Sequence, residues 1–244
     1  WKNLLKQVKL MHQLVENNKG FTTLEVIVVL CIVGILSAFA FPQIMDWNKS
    51  RAVKTDVIRV VNIFDNINSQ VQRGLYAFAQ VYMNFEIDQD TGVTTLTVTS
   101  RGMTADTLGN KITQDMTFRS ETDRCSLDRE DWDHDGADTD RAEVSQEILN
   151  NIETNFNGEE AVCFSKDGSY FKAHGTLKNN LNVTVENRST NQYLILCTTS
   201  NASNGGKCPL DQGGGLEKPA YLVLWSRFGT VTKYKWGKSD WTIR

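Results

Sequence analysis

The chain has 244 residues, with 26 Lys and Arg against 29 Asp and Glu, for a formal net charge of −3. That slight acidic excess excludes a protein devoted to broad, non-specific nucleic-acid binding, although local basic patches are compatible with it. Only three prolines occur, which argues for a compact fold over a linker-rich one.

The chain opens with WKNLLKQVKLMHQLVENNKG, in which Lys2, Lys6, Lys9 and Lys19 outweigh Glu16. Phe21-Thr22-Thr23-Leu24-Glu25 follows, then VIVVLCIVGILSAFAF from Val26 to Phe41, and Pro42. No charge falls between Val26 and Phe41, and taken from Phe21 the stretch reaches the roughly 20 apolar residues that a membrane helix needs. The lysine-rich flank would stay cytoplasmic, with the C-terminal bulk on the far side. A cleaved secretory signal has a shorter apolar core and a small-residue cleavage site. A plain signal anchor leaves the lone acid Glu25 without a role, and a buried core helix lacks apolar sequence elsewhere to surround it.

Gly20-Phe21-Thr22-Thr23-Leu24-Glu25 and the apolar run up to Pro42 resemble the class III signal of type IV pilins and type II secretion pseudopilins. The resemblance covers about 25 residues and includes Gly34; Thr23 departs from it, standing where the family usually has isoleucine. It implies a leader over residues 1–20, cut after Gly20 by a prepilin peptidase, with methylation of the new amino terminus at Phe21. It also implies that Phe21, Glu25 and Pro42 serve assembly, with other pilin or pseudopilin subunits and an inner-membrane assembly platform as partners. The bacterial inner membrane would hold the subunit before assembly, and a periplasmic or extracellular filament afterwards. Physical chemistry is consistent with this: a carboxylate among packed apolar helices is costly unless paired. The Phe21 amine of a neighbouring subunit would relieve Glu25 and so fix the axial register, as one polar residue does in a coiled coil.

Beyond Pro42, Val53, Val57, Val60, Phe64, Ile67, Val71, Leu75 and Phe78 recur every three or four residues. This stripe predicts that one helix covers 21–78, membrane-spanning to about residue 45 and amphipathic thereafter. From residue 79 to 244 strands dominate. Val81, Met83, Phe85 and Ile87 alternate with polar residues, Asp88–Gly92 turns the chain, and Val93–Thr99 returns as a hairpin partner. Further strands are expected at Glu160–Phe164, Gly168–His174, Leu181–Glu186, Gln192–Thr198, Ala220–Trp225 and Gly229–Trp236, with an Asp167-Gly168 turn signal. The fold class is therefore α+β: a long N-terminal helix packed against a C-terminal antiparallel β-rich globule.

Within the globule, an acidic loop over 128–143 places Asp131, Asp133, Asp135, Asp138 and Asp140 at alternate positions around Gly136. Calcium takes six to eight oxygen ligands, and an Asp-x-Asp-x-Asp-Gly loop can wrap several around one ion. The match is partial, because Ala142 holds the twelfth position and Glu143 comes one place later. The competing reading is a solvated acidic loop. A Ca2+ site here would be structural, with His134 left to solvent.

Cys31 lies in the apolar stretch, whereas Cys125, Cys163, Cys197 and Cys208 lie in the part expected to meet an oxidising compartment. Four cysteines allow three pairings. The short polar loop between Cys197 and Cys208 favours that pair, leaving Cys125 with Cys163.

Val162–Gly168, and Tyr221–Trp225 followed by Phe228–Val231, resemble more weakly the late strand-turn patterns of FimT-like minor pilins and the H-type pseudopilin. The basic Gly-Arg-x-Arg segment that some FimT-like pilins use in DNA uptake is absent at Gly229–Thr232. Lys233, Lys235 and Lys238 with Tyr234 and Trp236 offer a small basic and aromatic patch for DNA or surface contact, against the plainer reading of a solvated strand face. No nucleophile motif or paired-acid site stands out, so the sequence does not point to an enzyme. The function expected is a structural subunit of a type IV pilus or pilus-like filament. The alternatives are a minor tip pilin that binds DNA or a surface, and a type II secretion pseudopilin acting in protein export.

Overall fold

The computed structural model describes residues 22–114, 124–125, 127, 132, 143–166, 171–174, 183–186, 188–190, 192–198, 208, 219–226, 229–237 and 239–244. Two compact units divide the chain, Trp1–Asn48 and Lys49–Arg244. Helix α1 spans Thr23–Gln72, 50 residues in one element that includes Pro42.

In the second unit, the predicted stripe becomes the buried face of α1. Val53, Val57, Val60, Phe64, Ile67 and Val71 join Ile63 in the central core, each no more than 4% exposed. The helix ends earlier than the stripe suggested. Gly74, at φ 79, takes the left-handed position after the last turn. Its N–H donates to the Val71 carbonyl and the Leu75 N–H donates to Gln70, which together close a Schellman cap. Leu75 is consequently exposed, and Phe78 opens a strand instead of extending the helix.

Twelve strands are described, all paired antiparallel. Strands β1 (Phe78–Ile87), β2 (Thr94–Met103), β3 (Glu143–Asn150), β5 (Gly158–Ser165) and β6 (Phe171–His174) form sheet A in the order β3-β2-β1-β5-β6. Strands β4 (Ile152–Thr154), β9 (Tyr193–Thr198), β10 (Ala220–Trp225), β11 (Val231–Trp236) and β12 (Trp241–Ile243) form sheet B in the order β12-β11-β10-β9-β4. A hairpin of β7 (Val183–Val185) and β8 (Arg188–Thr190) stands apart. The chain steps from the edge of sheet A to the edge of sheet B at Asn151, whose φ of 59 suits a residue that tolerates left-handed backbone. Asn151 N–H donates to the Thr94 carbonyl at 2.9 Å, anchoring this step to β2.

One face of each sheet meets α1. Phe64 joins the layers: its ring stacks on Trp225 of β10 with centroids 5.7 Å apart and meets Phe164 of β5 edge-on at 6.2 Å. The outer face of sheet A carries a second cluster of Phe78, Met103, Cys125, Trp132, Ala161 and Cys163. Leu108 and Ile112 of helix α2 (Ala105–Gln114) pack against it. On the outer face of sheet B, Val183 and Val185 of the hairpin pack with Tyr193, Ile195, Leu222, Trp236 and Trp241. The α+β architecture is thus a helix against two antiparallel sheets, with a satellite cluster on each outer face.

The expected membrane span is not found. Among the described residues, no helix is long and apolar enough to cross a membrane. Glu25 lies in the first turn of α1. The expected leader, with the Gly20 and Phe21 processing positions, lies outside the described residues.

Candidate assembly surface

The first described turn of α1 is fixed by a reciprocal cap. Thr22 N–H and Thr22 Oγ1 donate to Glu25 Oε2 at 3.0 and 3.1 Å, and Glu25 N–H donates back to Thr22 Oγ1 at 3.3 Å. This is the Thr-x-x-Glu capping box, which satisfies backbone donors that a helix start otherwise leaves unpaired. The sequence reading gave Glu25 an assembly role and passed over Thr22, although the three-residue spacing was the signal. The carboxylate therefore has a local task whatever neighbour it meets.

From there the helix is apolar on every side. Val26, Ile27, Val28, Val29 and Leu30 are consecutive, at about 100° per residue, and each is 47–63% exposed. Leu24, Ile32, Val33, Ile35, Leu36, Ile44, Met45 and Trp47 extend the exposed surface. Monomeric proteins seldom leave so much contiguous apolar surface in water, and such surface commonly accompanies protein or membrane contact. The helix meets its own polar needs internally: Ser37 Oγ donates to the Val33 carbonyl at 2.7 Å.

Gly34 adds a constraint. A glycine inside a helix costs about 1 kcal/mol relative to alanine, and beyond the neighbouring turn of its own helix no described residue comes within 4 Å of where its Cβ would stand. Among the described residues no contact explains the absence of a side chain. A small residue there leaves room for another helix to approach closely. Cys31, three residues earlier, is free and exposed. Pro42 lies within α1.

Other residues singled out in the sequence take separate places. Cys125 is bonded to Cys163 and Cys197 to Cys208, one disulfide on the outer face of each sheet. Asp131, Asp133, Asp135, Asp138 and Asp140 lie outside the described residues, whereas Glu143 begins β3 with Arg101 of β2 as its register partner. Between the first two of these acids Trp132 is buried, stacked on Phe78 with centroids 5.9 Å apart. Among the described residues no cluster of metal-ligating side chains forms.

Of the basic and aromatic patch, Lys238 lies outside the described residues, and the other four residues divide between the two faces of β11. Alternate residues of a strand point to opposite faces, and Lys233 and Lys235 share the side of β11 on which Val231 packs against the central core. Tyr234 and Trp236 are buried in the cluster on the other side. Burial, followed by the like charge of Lys54, pulls the Lys233 ammonium below the ordinary lysine range. Lys235 Nζ lies 5.9 Å from the centre of the Tyr221 ring.

Two polar features were not foreseen. On sheet A, Tyr82 Oη donates to Glu159 at 2.7 Å, the Arg101 guanidinium lies 4.2 Å from the Tyr82 ring centre, and Arg101 Nη1 donates to Gln80 at 3.2 Å. Burial and the Glu159 hydrogen bond raise the Tyr82 phenol well above its usual value. On sheet B, Glu153 is 4% exposed, its Oε2 has no hydrogen-bond partner among the described residues, and burial raises its carboxyl to about 7. Its register partner is Cys197.

No protein-family model matches this chain, and neither a curated protein nor a solved structure matches it. The functional reading therefore rests on the residues and their geometry.

Proposed function

We propose that this chain is a structural subunit of a type IV pilus-like filament, assembled by packing the N-terminal helices of many copies together. The all-round apolar exposure of α1 between Leu24 and Leu36 carries this reading. A helix of this kind is stable only when surrounded, and like helices surround it on every side. Fully burying an aliphatic side chain contributes about 1.5–3 kcal/mol. Half-burying the ten exposed apolar side chains of this segment thus gives on the order of 10 kcal/mol, comparable with the cost of about 4–15 kcal/mol for association. The resemblance around Gly20, Glu25 and Pro42 favours the same assignment.

Cys31 supplies the test. Bismaleimides of graded length should join copies of the chain through Cys31 into dimers, and negative staining should show filaments in the same sample. Leu30→Glu and Val33→Glu should remove both signals while the globule keeps its disulfides. Wild-type chain that neither cross-links nor forms filaments at any concentration would overturn the proposal.

A further inference from the structure

We propose that the Cys197–Cys208 bridge is a thiol–disulfide exchange site, opened by a dithiol that attacks Cys208 while the carboxyl of Glu153 hands a proton to Cys197. The bridge and the acid lie wholly within the second unit, so the inference does not depend on the assembly reading.

Sheet register puts the three residues together. Glu153 of β4 is the register partner of Cys197 on β9, and directly opposed residues of an antiparallel pair share a face, with Cβ atoms about 4.5–5.5 Å apart. That face is the outer one: Ile152 beside Glu153 packs in the central core, while Cys197 and Cys208 belong to the outer cluster. Cys208 N–H donates to the Thr154 carbonyl at 2.6 Å, which brings the far end of the bridge to the same short strand. Asn155 ties that strand to β9, its Oδ1 accepting from the Ile195 N–H at 2.8 Å.

The two sulfurs are not equivalent. Cys208 is 5% exposed and Cys197 0%, so attack falls on Cys208 and Cys197 leaves. A thiolate left on Cys197 is penalised by burial, and a reluctant leaving thiolate slows exchange. Glu153 supplies the missing proton. It is 4% exposed, its Oε2 has no hydrogen-bond partner among the described residues, and burial raises its carboxyl to about 7. Near neutral pH such a carboxyl both gives and takes a proton. On this side of sheet B, β9 also carries Tyr193, β11 carries Tyr234 and the β7–β8 turn carries Glu186; the side chains of Arg188, Lys207 and Asp211 lie outside the described residues.

In the first step one thiolate of the dithiol attacks Cys208 Sγ, the S–S bond breaks with its electron pair on Cys197 Sγ, and that sulfur takes the Glu153 proton. In the second, the other thiolate of the dithiol attacks its partner sulfur in the mixed disulfide, which closes the reagent's own disulfide and releases Cys208 to take a proton from water. The dithiol is oxidised and the bridge reduced by two electrons. The two protons that the dithiol releases to solvent restore Glu153 and balance Cys208.

The test follows reduction of the full 244-residue chain by dithiothreitol in a mild detergent, with alkylation of freed thiols and peptide mass spectrometry to read each bridge separately. Cys125–Cys163 is the internal control, because the register partners of Cys163 are Gln80 and Lys172, neither of them an acid. The rate at Cys197–Cys208 should be proportional to dithiothreitol. Glu153→Gln should lower it on the order of 100-fold at pH 6, the lower end for a positioned acid, and only a few-fold at pH 8.5, where the carboxyl has lost its proton. Glu153→Asp should retain the pH dependence, and the rate at Cys125–Cys163 should be the same in all three proteins. A rate independent of dithiothreitol, a Gln variant as fast as wild type at pH 6, a wild-type to Gln ratio that does not change with pH, or equal slowing of both bridges would overturn the proposal.

Discussion

Glu25 is bound within its own helix before any neighbour is considered, and this separates two roles that one substitution would confuse. Its Oε2 takes both hydrogen bonds from Thr22, and a glutamine at the same position also completes a capping box. Glu25→Gln should therefore keep the helix start and lose only the charge, Thr22→Ala should do the reverse, and Glu25→Ala should lose both. If the proposed pairing with a neighbour's amine drives assembly, filament yield should fall in the Gln and Ala variants and hold in Thr22→Ala; normal filaments from Glu25→Gln would reduce the residue to a cap. Glu153 makes a different prediction, about pH. Burial raises its carboxyl from 4.5 to about 7, so the folded chain holds that proton more tightly than the unfolded chain does. Its contribution to stability is full below pH 4.5, is lost as pH rises towards 7, and stays lost above. The loss is about 2–3 kcal/mol. Asp56 and Asp65 are also raised by burial and add in the same direction, so the comparison to make is with Glu153→Gln. In urea melts at pH 5 and pH 8, that variant should flatten most of the dependence and gain stability at the higher pH. Equal slopes for the two proteins would show that Glu153 is solvated.

Glycines at element ends and faces carry distinct loads. At Gly74 an added Cβ would meet only the flexible end of Lys166, at 3.0 Å, so Gly74→Ala should cost only the backbone term at φ 79, about 1–2 kcal/mol. At Gly229, with φ 78, the Cβ would also collide with the Asn68 carboxamide on α1. Gly229→Ala should therefore cost about 3 kcal/mol or more, as strain and overpacking add; denaturant melts would rank the two. Gly34 should behave in the opposite way to both: Gly34→Leu should leave the melt of the globule unchanged and lower the Cys31 cross-linking yield several-fold. The same elements show what a sequence discloses. The stripe from Val53 to Val71 and the hairpin of β1 and β2 were legible, because each buries one face and the apolar period follows. Strand β3 was not, because it is an edge strand whose Glu143, Gln146 and Glu147 obscure the alternation, and Glu143 was read with the acidic loop. The helix end was overrun because Leu75 and Phe78 continued the spacing past Gly74, although the glycine was the stronger signal. The apolar run suggested a membrane span, while the described helix supports only an exposed apolar surface.

In the second unit the main core and the two satellite clusters are held by different means. The main core is formed by α1 and the inner faces of both sheets, and none of its residues is a cysteine. Each satellite contains one disulfide, Cys125–Cys163 outside sheet A and Cys197–Cys208 outside sheet B. Reduction should accordingly loosen the outer layers and leave the Phe64, Phe164 and Trp225 packing for last. Loop closure sets the order. The bridges span 38 and 11 residues, for which chain entropy predicts about 4 and about 3 kcal/mol of stabilisation. Together these are a large share of the 5–15 kcal/mol typical of a folded domain. Paired Cys→Ser substitutions should thus lower the urea midpoint more at Cys125 and Cys163 than at Cys197 and Cys208, and removal of both bridges should bring the chain close to unfolding. Trp225 lies in the core, whereas Trp132, Trp236 and Trp241 lie in the satellites. Variants retaining one tryptophan at a time would distinguish satellite loosening from a single transition. If the Trp225 and Trp132 signals moved together after loss of the first bridge, the satellite would be part of one cooperative core, and the disulfide would be stabilising the whole globule.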